Sequence, residues 1–551
     1  MKLLISYYQP LWRLFNRLPL IICFFSLCSC QDDFLNEKPL AVVSTDILLS
    51  SKSGFENYIT SLHEAARQEH ARMNNTNWVM NFWNGTDVAV TGSSFEINFR
   101  NYGTYLTPTR SMVSNYWQWA YQIMLIRANT VITYAEKPNL QSIWANEAEK
   151  NAIVAEARFF RAYTHNLLAN LYGGVPIVET LYTTPKTDFV RNTRKEVYES
   201  ARKDLEFASK WLPVTVTKNN EGRIVKAAAD HLLSEVYISL GEYDKGIESA
   251  SKVINSGLYG LMTERFGSEK NLPGDVFSDL FKTGNQNRSS GNQESIYVWQ
   301  FEDQTPGGLG VGNYLWRIWG PFYIQLSDPN GKTGMVLADS LSRGVSWSRP
   351  TTWFLYDLWK DNWSNDIRNS PHNIKRTFYY NNPSSAYFGQ RIIPKPTVVD
   401  TMQNIYPAIR KIEGKKLATT SVPNGVTAND IMVFRLAETY LLRAEAYWRK
   451  GELQKAADDI NAVRTRAKAK PILAGEVNLD YILDERAREL IIEEPRRRTL
   501  TRVGRLVERT RKYTDYESTR TTIQSFHEFW PIPQIDIDAN FSAKLEQNPG
   551  Y

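Results

Sequence analysis

The chain has 551 residues, a formal net charge of +6, 42% hydrophobic and 23% charged residues, and 3 cysteines. So small a net charge argues against a nucleic-acid binder, which carries a strong basic patch or stripe. All the cysteines (Cys23, Cys28 and Cys30) lie near the N-terminus, so the body has no disulfide framework, no zinc-finger spacing and no cysteine nucleophile, and must fold by burial alone.

Lys2, Arg13 and Arg17 precede an apolar run, Leu18–Ser29, which closes on Leu27-Cys28-Ser29-Cys30. A branched apolar residue, two small residues and a cysteine read as a lipobox. Residues 1–29 are then a lipoprotein signal peptide and Cys30 is the lipidated first residue of the mature chain. The plainer readings are an ordinary cleaved signal or a short transmembrane helix, but a span needs about 20 apolar residues. Removing three basic residues leaves the body at about +3. Residues 30–45 read as a lipidated polar tether.

From 46 to 260 the chain reads as mainly helical. In 152–172, Ala155, Phe159, Ala162, Tyr163, Leu167 and Leu171 recur at helical spacing, and Gly173-Gly174 and Pro176 stop the helix. Segment 231–254 aligns with 441–464 at constant offset: Leu232 with Leu442, Glu235 with Glu445, Tyr237 with Tyr447, Gly241-Glu242 with Gly451-Glu452, and Val253 with Val463. Each copy reads as helix, tight glycine turn and helix, as in tetratricopeptide repeats. Their separation predicts hairpins that pack together in space with other structure inserted between them.

The insertion is assigned to 261–428. It is rich in Gly, Pro, Asn, Ser and aromatics, with short strand-like runs at Ser295–Phe301 and Arg391–Ile393. It is expected to be a loop-rich lobe carried by the helices. Residues 429–551 are expected to supply helices over Asn429–Lys450, Glu452–Lys468 and about Leu479–Glu494, closed by Pro495, then an extended tail, Trp530–Tyr551. Residues 46–551 are read as one compact unit.

No catalytic constellation assembles. His63-Glu64 opens HEAAR, which lacks the second histidine of a metalloprotease helix, and Leu326 stands where the first glycine before Gly331-Lys332-Thr333 would complete a phosphate loop. Gly307–Gly312 lacks dinucleotide spacing. Asp357, Asp361 and Asp366, near Trp353, Trp359 and Trp363, read as a solvated face with aromatic backing. Glu485, Glu489 and Glu493 with Arg486 and Arg488 read as a salt-bridged helix face.

These segments together resemble the SusD/RagB family of surface nutrient-binding lipoproteins. The likeness rests on the lipobox followed by Asp33-Phe34-Leu35 and Pro39, and on Trp117, Tyr121, Ile123 and Ala128-Asn129. It includes AEARFFRAY from Ala155, YGGVPIV from Tyr172, GRIVKAAA from Gly222, SGLYGL from Ser256, NQESIYVWQF over Asn292–Phe301, the block Asp430–Ala467, and the close from Trp530-Pro531-Ile532-Pro533 to Asn548-Pro549-Gly550-Tyr551. In the late block Glu494, Arg497 and Thr499 depart from the family's usual Gly, aromatic and Asp.

The resemblance implies a mainly α fold: a SusD-like scaffold of four tetratricopeptide-like helical hairpins with an inserted loop-rich lobe containing short strands. It implies a non-enzymatic protein, lipid-anchored in the outer membrane and facing the extracellular side, with Gln31-Asp32-Asp33 as an export signal. Its partners would be a SusC-like TonB-dependent transporter and a glycan; the alternative is a peptide-binding lid of a RagAB-like transporter. No cofactor and no nucleic acid are implied, and no metal site is assigned.

Sugar rings pack their C–H faces on Trp and Tyr, while their hydroxyls need Asn, Asp, Gln or Arg nearby. Two stretches have this mix. One is 77–87, with Trp78, Asn81, Trp83, Asn84 and Asp87; the other is 313–323, with Tyr314, Trp316, Arg317, Trp319 and Tyr323. Trp347 is a further candidate. The Trp content, 16 in all, tilts the expectation towards glycan rather than peptide.

Overall fold

The computed structural model describes residues 44–71, 79–95, 97–305 and 312–551. The signal segment, Cys30, nearly all of the tether, Trp78 and the glycine-rich run 307–311 lie outside them. Residues 44–51 belong to a first unit, in which Ser44 Oγ accepts from Ile47 N and caps the turn Thr45–Leu48. Residues 52–551 form a second unit.

The second unit is predominantly helical. Its α-helices of seven or more residues are α1 (Lys52–Ala71), α2 (Ser111–Gln118), α3 (Ile126–Ala135), α4 (Glu147–Tyr172), α5 (Arg194–Trp211), α6 (Lys226–Leu240) and α7 (Tyr243–Ile254). After the lobe come α8 (Leu436–Arg449), α9 (Leu453–Arg466), α10 (Leu479–Leu490), α11 (Arg496–Arg502) and α12 (Leu506–Tyr513). A π-helical stretch, Trp119–Leu125, joins α2 to α3.

Several boundaries have a local cause. Asn146 caps α4, its side chain accepting from Glu149 N at 2.9 Å, and Glu147 and Glu149 in the first turn complement the helix dipole. The six apolar residues read from the sequence along α4 are all buried, and Gly173 at φ +78° ends the helix. Thr193 and Glu196 form a capping box at α5.

The repeat is structural as well as sequential. α6 and α8 begin 210 residues apart (226 and 436), as do α7 and α9 (243 and 453). Both turns use one device: Gly241 and Gly451 take left-handed φ of +79° and +77°, and the following Glu242 N and Glu452 N each donate back to a tyrosine carbonyl (Tyr237 O and Tyr447 O) at 2.9 Å. Helices α3 to α9 pack in sequence, α7 lying directly on α8 although the whole lobe intervenes between them.

Between α7 and α8 the chain runs through one-turn helices and strands of two to five residues, one of which pairs with a strand from the stretch between α1 and α2. β1 (Ala89–Val90) pairs with β3 (Arg349–Pro350), β4 (Ile374–Lys375) with β5 (Ala408–Ile409), and β2 (Ser295–Trp299) with β6 (Ile431–Arg435), all antiparallel. Residues 429–435, expected as helix, are extended instead. β6 completes a ladder with β2, and Leu436 N closes onto Glu294 O at 2.8 Å as α8 begins. The tail docks on α4: Trp530 N donates to Leu171 O and Asn548 Nδ2 to Tyr172 O.

Asp366, read from the sequence as part of a solvated face, is buried, and it joins an ion-pair lattice around α10. The salt-bridged face expected on α10 is itself inside the protein: Glu485 and Glu489 are fully buried. Arg368 donates to both (2.8 and 2.9 Å) and pairs with Asp366 in two-pronged fashion. Arg464 reaches Glu485, and Arg435 reaches Glu489, Glu493 and Glu294. Arg466 joins Glu294 and Glu489. Buried charge is tolerable only when so matched. The helix ends at Leu490, short of Pro495, and Ile492 takes φ +70° in the turn that follows.

Candidate functional site

The stretch 79–87 is held by the block after α10. Arg497 donates to Asn81 O and Asn84 O at 2.8 and 2.7 Å, and its guanidinium lies 4.0 Å from the centroid of the Phe99 ring. Asn81 Oδ1 accepts from the Tyr105 hydroxyl at 3.1 Å. Trp83 is 0% exposed; its indole N–H donates to Glu494 O at 2.7 Å, and its ring meets Trp319 edge-on with centroids 5.6 Å apart. Asp87 is buried between Arg496 and Arg509. Burial alone would raise its carboxyl, but the two guanidiniums outweigh that and hold it at about 2.

Asn81, Trp83 and Asp87 therefore do not form the expected ligand surface. The large apolar side chain and the short polar ones that suit a sugar also suit a core whose polar groups find partners, and here they find them. The departures Glu494, Arg497 and Thr499 belong to the same clasp: the Thr499 hydroxyl donates to Glu494, which pairs with Arg486 and Arg496.

The stretch 313–323 divides. Asn313 exchanges both backbone hydrogen bonds with Thr427 and starts a one-turn helix, Leu315–Trp319. Segment 345–348 crosses this helix: Val345 N donates to Arg317 O, Ser346 N to Gly320 O and Ser348 N to Ile318 O. The crossing is close, because a Cβ on Gly344 would fall 2.2 Å from Gly320 backbone. Trp319 and Tyr323 are each 1% exposed and belong to the core, the Tyr323 hydroxyl donating to Ser342 O. Trp316 is 7% exposed and faces a cavity of about 220 Å³ also lined by Asp339, Arg410 and Lys415. For these three, the helix turn that looked uniformly aromatic packs its apolar side inward.

The outward side of that turn brings three candidates together. Tyr314, Arg317 and Trp347 are half-buried. The Arg317 guanidinium lies 5.9 Å from the Trp347 ring centroid and donates to Asn424 O at 2.9 Å. Burial, then the neighbouring Arg343, lowers the Arg317 pKa, and burial raises that of Tyr314. Ser346, immediately before Trp347, takes φ +56°.

Arg343 and Asn424 were missed. Their signal was present in RGVSWSRP and VPNGV, but nothing local says that these loops converge on Arg317. A Cβ on Gly425 would fall 2.5 Å from Arg317 Cβ and from Arg343 O, so glycine is what lets the loops close. The rim joins two half-open aromatic rings with two guanidiniums: apolar faces for C–H groups and N–H donors for hydroxyls. Among the described residues no group of three or more His, Cys, Asp or Glu is placed to hold a metal ion.

Two family models match the chain: the SusD family over residues 355–551, and a family described as starch-binding associating with outer membrane over residues 33–238. The chain is similar to a SusD-like protein of Formosa agariphila, 23% identical over 97% of this chain and 99% of the relative. It is also similar to the starch-binding protein SusD of Bacteroides thetaiotaomicron, 27% identical over 72% of each. Among solved structures, a laminarin-binding SusD-like protein superposes with a TM-score of 0.67 at 22% identity, over 91% of this chain and 100% of that one. That likeness is one of fold.

Proposed function

The chain belongs to the SusD/RagB family, and from that premise we propose that it is a cell-surface glycan-binding lipoprotein, without catalytic activity of its own, that captures oligosaccharide or polysaccharide at the rim of Tyr314, Arg317 and Trp347. The observation that carries the reading is this rim: aromatic rings that stay half-open, beside the guanidiniums of Arg317 and Arg343. A pyranose offers the complementary surface, an apolar C–H face edged by hydroxyls. The starch and laminarin named for two of the similar proteins support a glycan over a peptide.

Lipidation at Cys30 anchors the protein to the outer membrane on its extracellular side. There it hands glycan to a SusC-like TonB-dependent transporter. The outer-membrane association in one matching family's description supports the location.

Purified residues 31–551 run through native gels loaded with laminarin, soluble starch or other plant, host and fungal polysaccharides test the reading, with peptide mixtures assayed alongside. The expected result is retardation by a glycan and no change in the bound glycan's length. Retention of peptides with no retardation by any glycan would replace this reading with peptide capture.

A further inference from the structure

The segment 353–363 sorts its aromatic residues in two ways. Trp353, Phe354 and Trp359 are buried, and Trp359 donates its indole N–H to Phe354 O at 2.7 Å. Tyr356 and Trp363 are left 41% and 44% exposed. Their rings are nearly parallel, 9° between planes, with centroids 6.4 Å apart.

Trp363 is built into place. The Arg376 guanidinium lies 4.7 Å from the Trp363 ring centroid and is itself anchored by a 2.7 Å hydrogen bond to Leu355 O. Trp363 O accepts from Asn369 Nδ2 at 2.7 Å. The indole is thus fixed from its backbone and by a cation against its ring, and holding it costs a ligand little ordering entropy. The exposed chain around the rings is polar: Asp357 with its partner Lys360 at 2.8 Å, then Asp361, Ser364 and Asn365.

The geometry points to a second sugar platform at Tyr356 and Trp363, separate in composition from the rim of Tyr314, Arg317 and Trp347. Two parallel rings, that of Trp363 held in place, present a flat apolar step on which successive pyranose C–H faces lie, and the neighbouring carboxylates, amides and lysine reach hydroxyls. This rests on the glycan reading above and adds to it that one polymer engages two places. Two linked contacts bind a long chain more tightly than either does alone, and a short oligosaccharide gains nothing from the second.

Four proteins decide it in native gels loaded with laminarin or soluble starch: the native chain, Y356A/W363A, W347A and W363F, which keeps a stacking ring. Melting temperatures of all four serve as the folding check. The expected result is at least a fivefold weaker apparent affinity for polymer in Y356A/W363A, partial recovery in W363F, and no loss for a hexasaccharide of the same glycan. Y356A/W363A migrating as the native protein, with W347A weakened, overturns the platform and leaves the rim standing. W347A migrating as native while Y356A/W363A is weakened overturns the rim instead. Absence of retardation of the native chain by every glycan overturns both.

Discussion

Asp87 and Arg496, 409 positions apart in the chain, meet in a two-pronged ion pair, Nε to Oδ1 at 2.9 Å and Nη2 to Oδ2 at 2.7 Å. Arg509 closes on the same carboxylate from α12 at 2.7 Å. The N-terminal stretch 79–87 and the C-terminal helices are thereby one clasp beneath the candidate rim.

This clasp titrates. The Asp87 carboxyl is held at about 2, below its ordinary 3.8, so its contribution is complete above the unfolded value and is lost as pH falls from about 4 through 2. Asp87→Asn removes the carboxylate that two guanidiniums share, although Arg496 keeps Glu494 and Arg509 keeps Asp480 and Asp484, and is expected to cost up to about 3 kcal/mol at neutral pH. Urea unfolding across pH 7 to 2 checks this: the gap between native protein and variant should narrow in acid. Glu156 and Glu438, also held at about 2, keep a remaining acid slope in the variant.

Trp83 is expected to matter for stability and not for ligand. Trp83→Ala should cost about 3–5 kcal/mol by opening a cavity against Trp319. Thermal unfolding should register the loss, while the folded fraction keeps native glycan affinity. A weakened affinity at full folding would return Trp83 to the site.

Glycines separate two kinds of cost. At Gly241 and Gly451 a Cβ meets nothing within 4 Å, so alanine pays only for the left-handed backbone, roughly 1–2 kcal/mol. The two losses should be equal, because the turns are copies. At Gly85, φ +68°, a Cβ would fall 2.4 Å from Phe99 Cβ, and Gly85→Ala should cost clearly more than either, about 3 kcal/mol or above. Melting temperatures of the three variants give the ranking.

The hairpins were legible because their causes are local: small residues at helical spacing, a glycine at each turn, and a second copy to compare. β6 was not, since residues 431–435 become a strand only because β2 lies opposite. The acids of α10 were legible as a salt-bridged face but not as a buried one, because alternating charge looks alike in water and in a buried lattice. Arg368, Arg435, Arg464 and Arg466 decide the matter, and they come from three other parts of the chain. The same holds for tryptophan: Trp83, Trp319 and Trp347 have equal claims in sequence, and only the crossing of 345–348 over the turn Leu315–Trp319 places one of them at a rim.

The most direct measurement is calorimetric titration of the native chain and of Trp347→Ala with the glycan that retards the native protein most strongly. Capture at the rim requires at least a tenfold weaker Kd in the variant at an unchanged melting temperature. Equal affinities in the two proteins would contradict it.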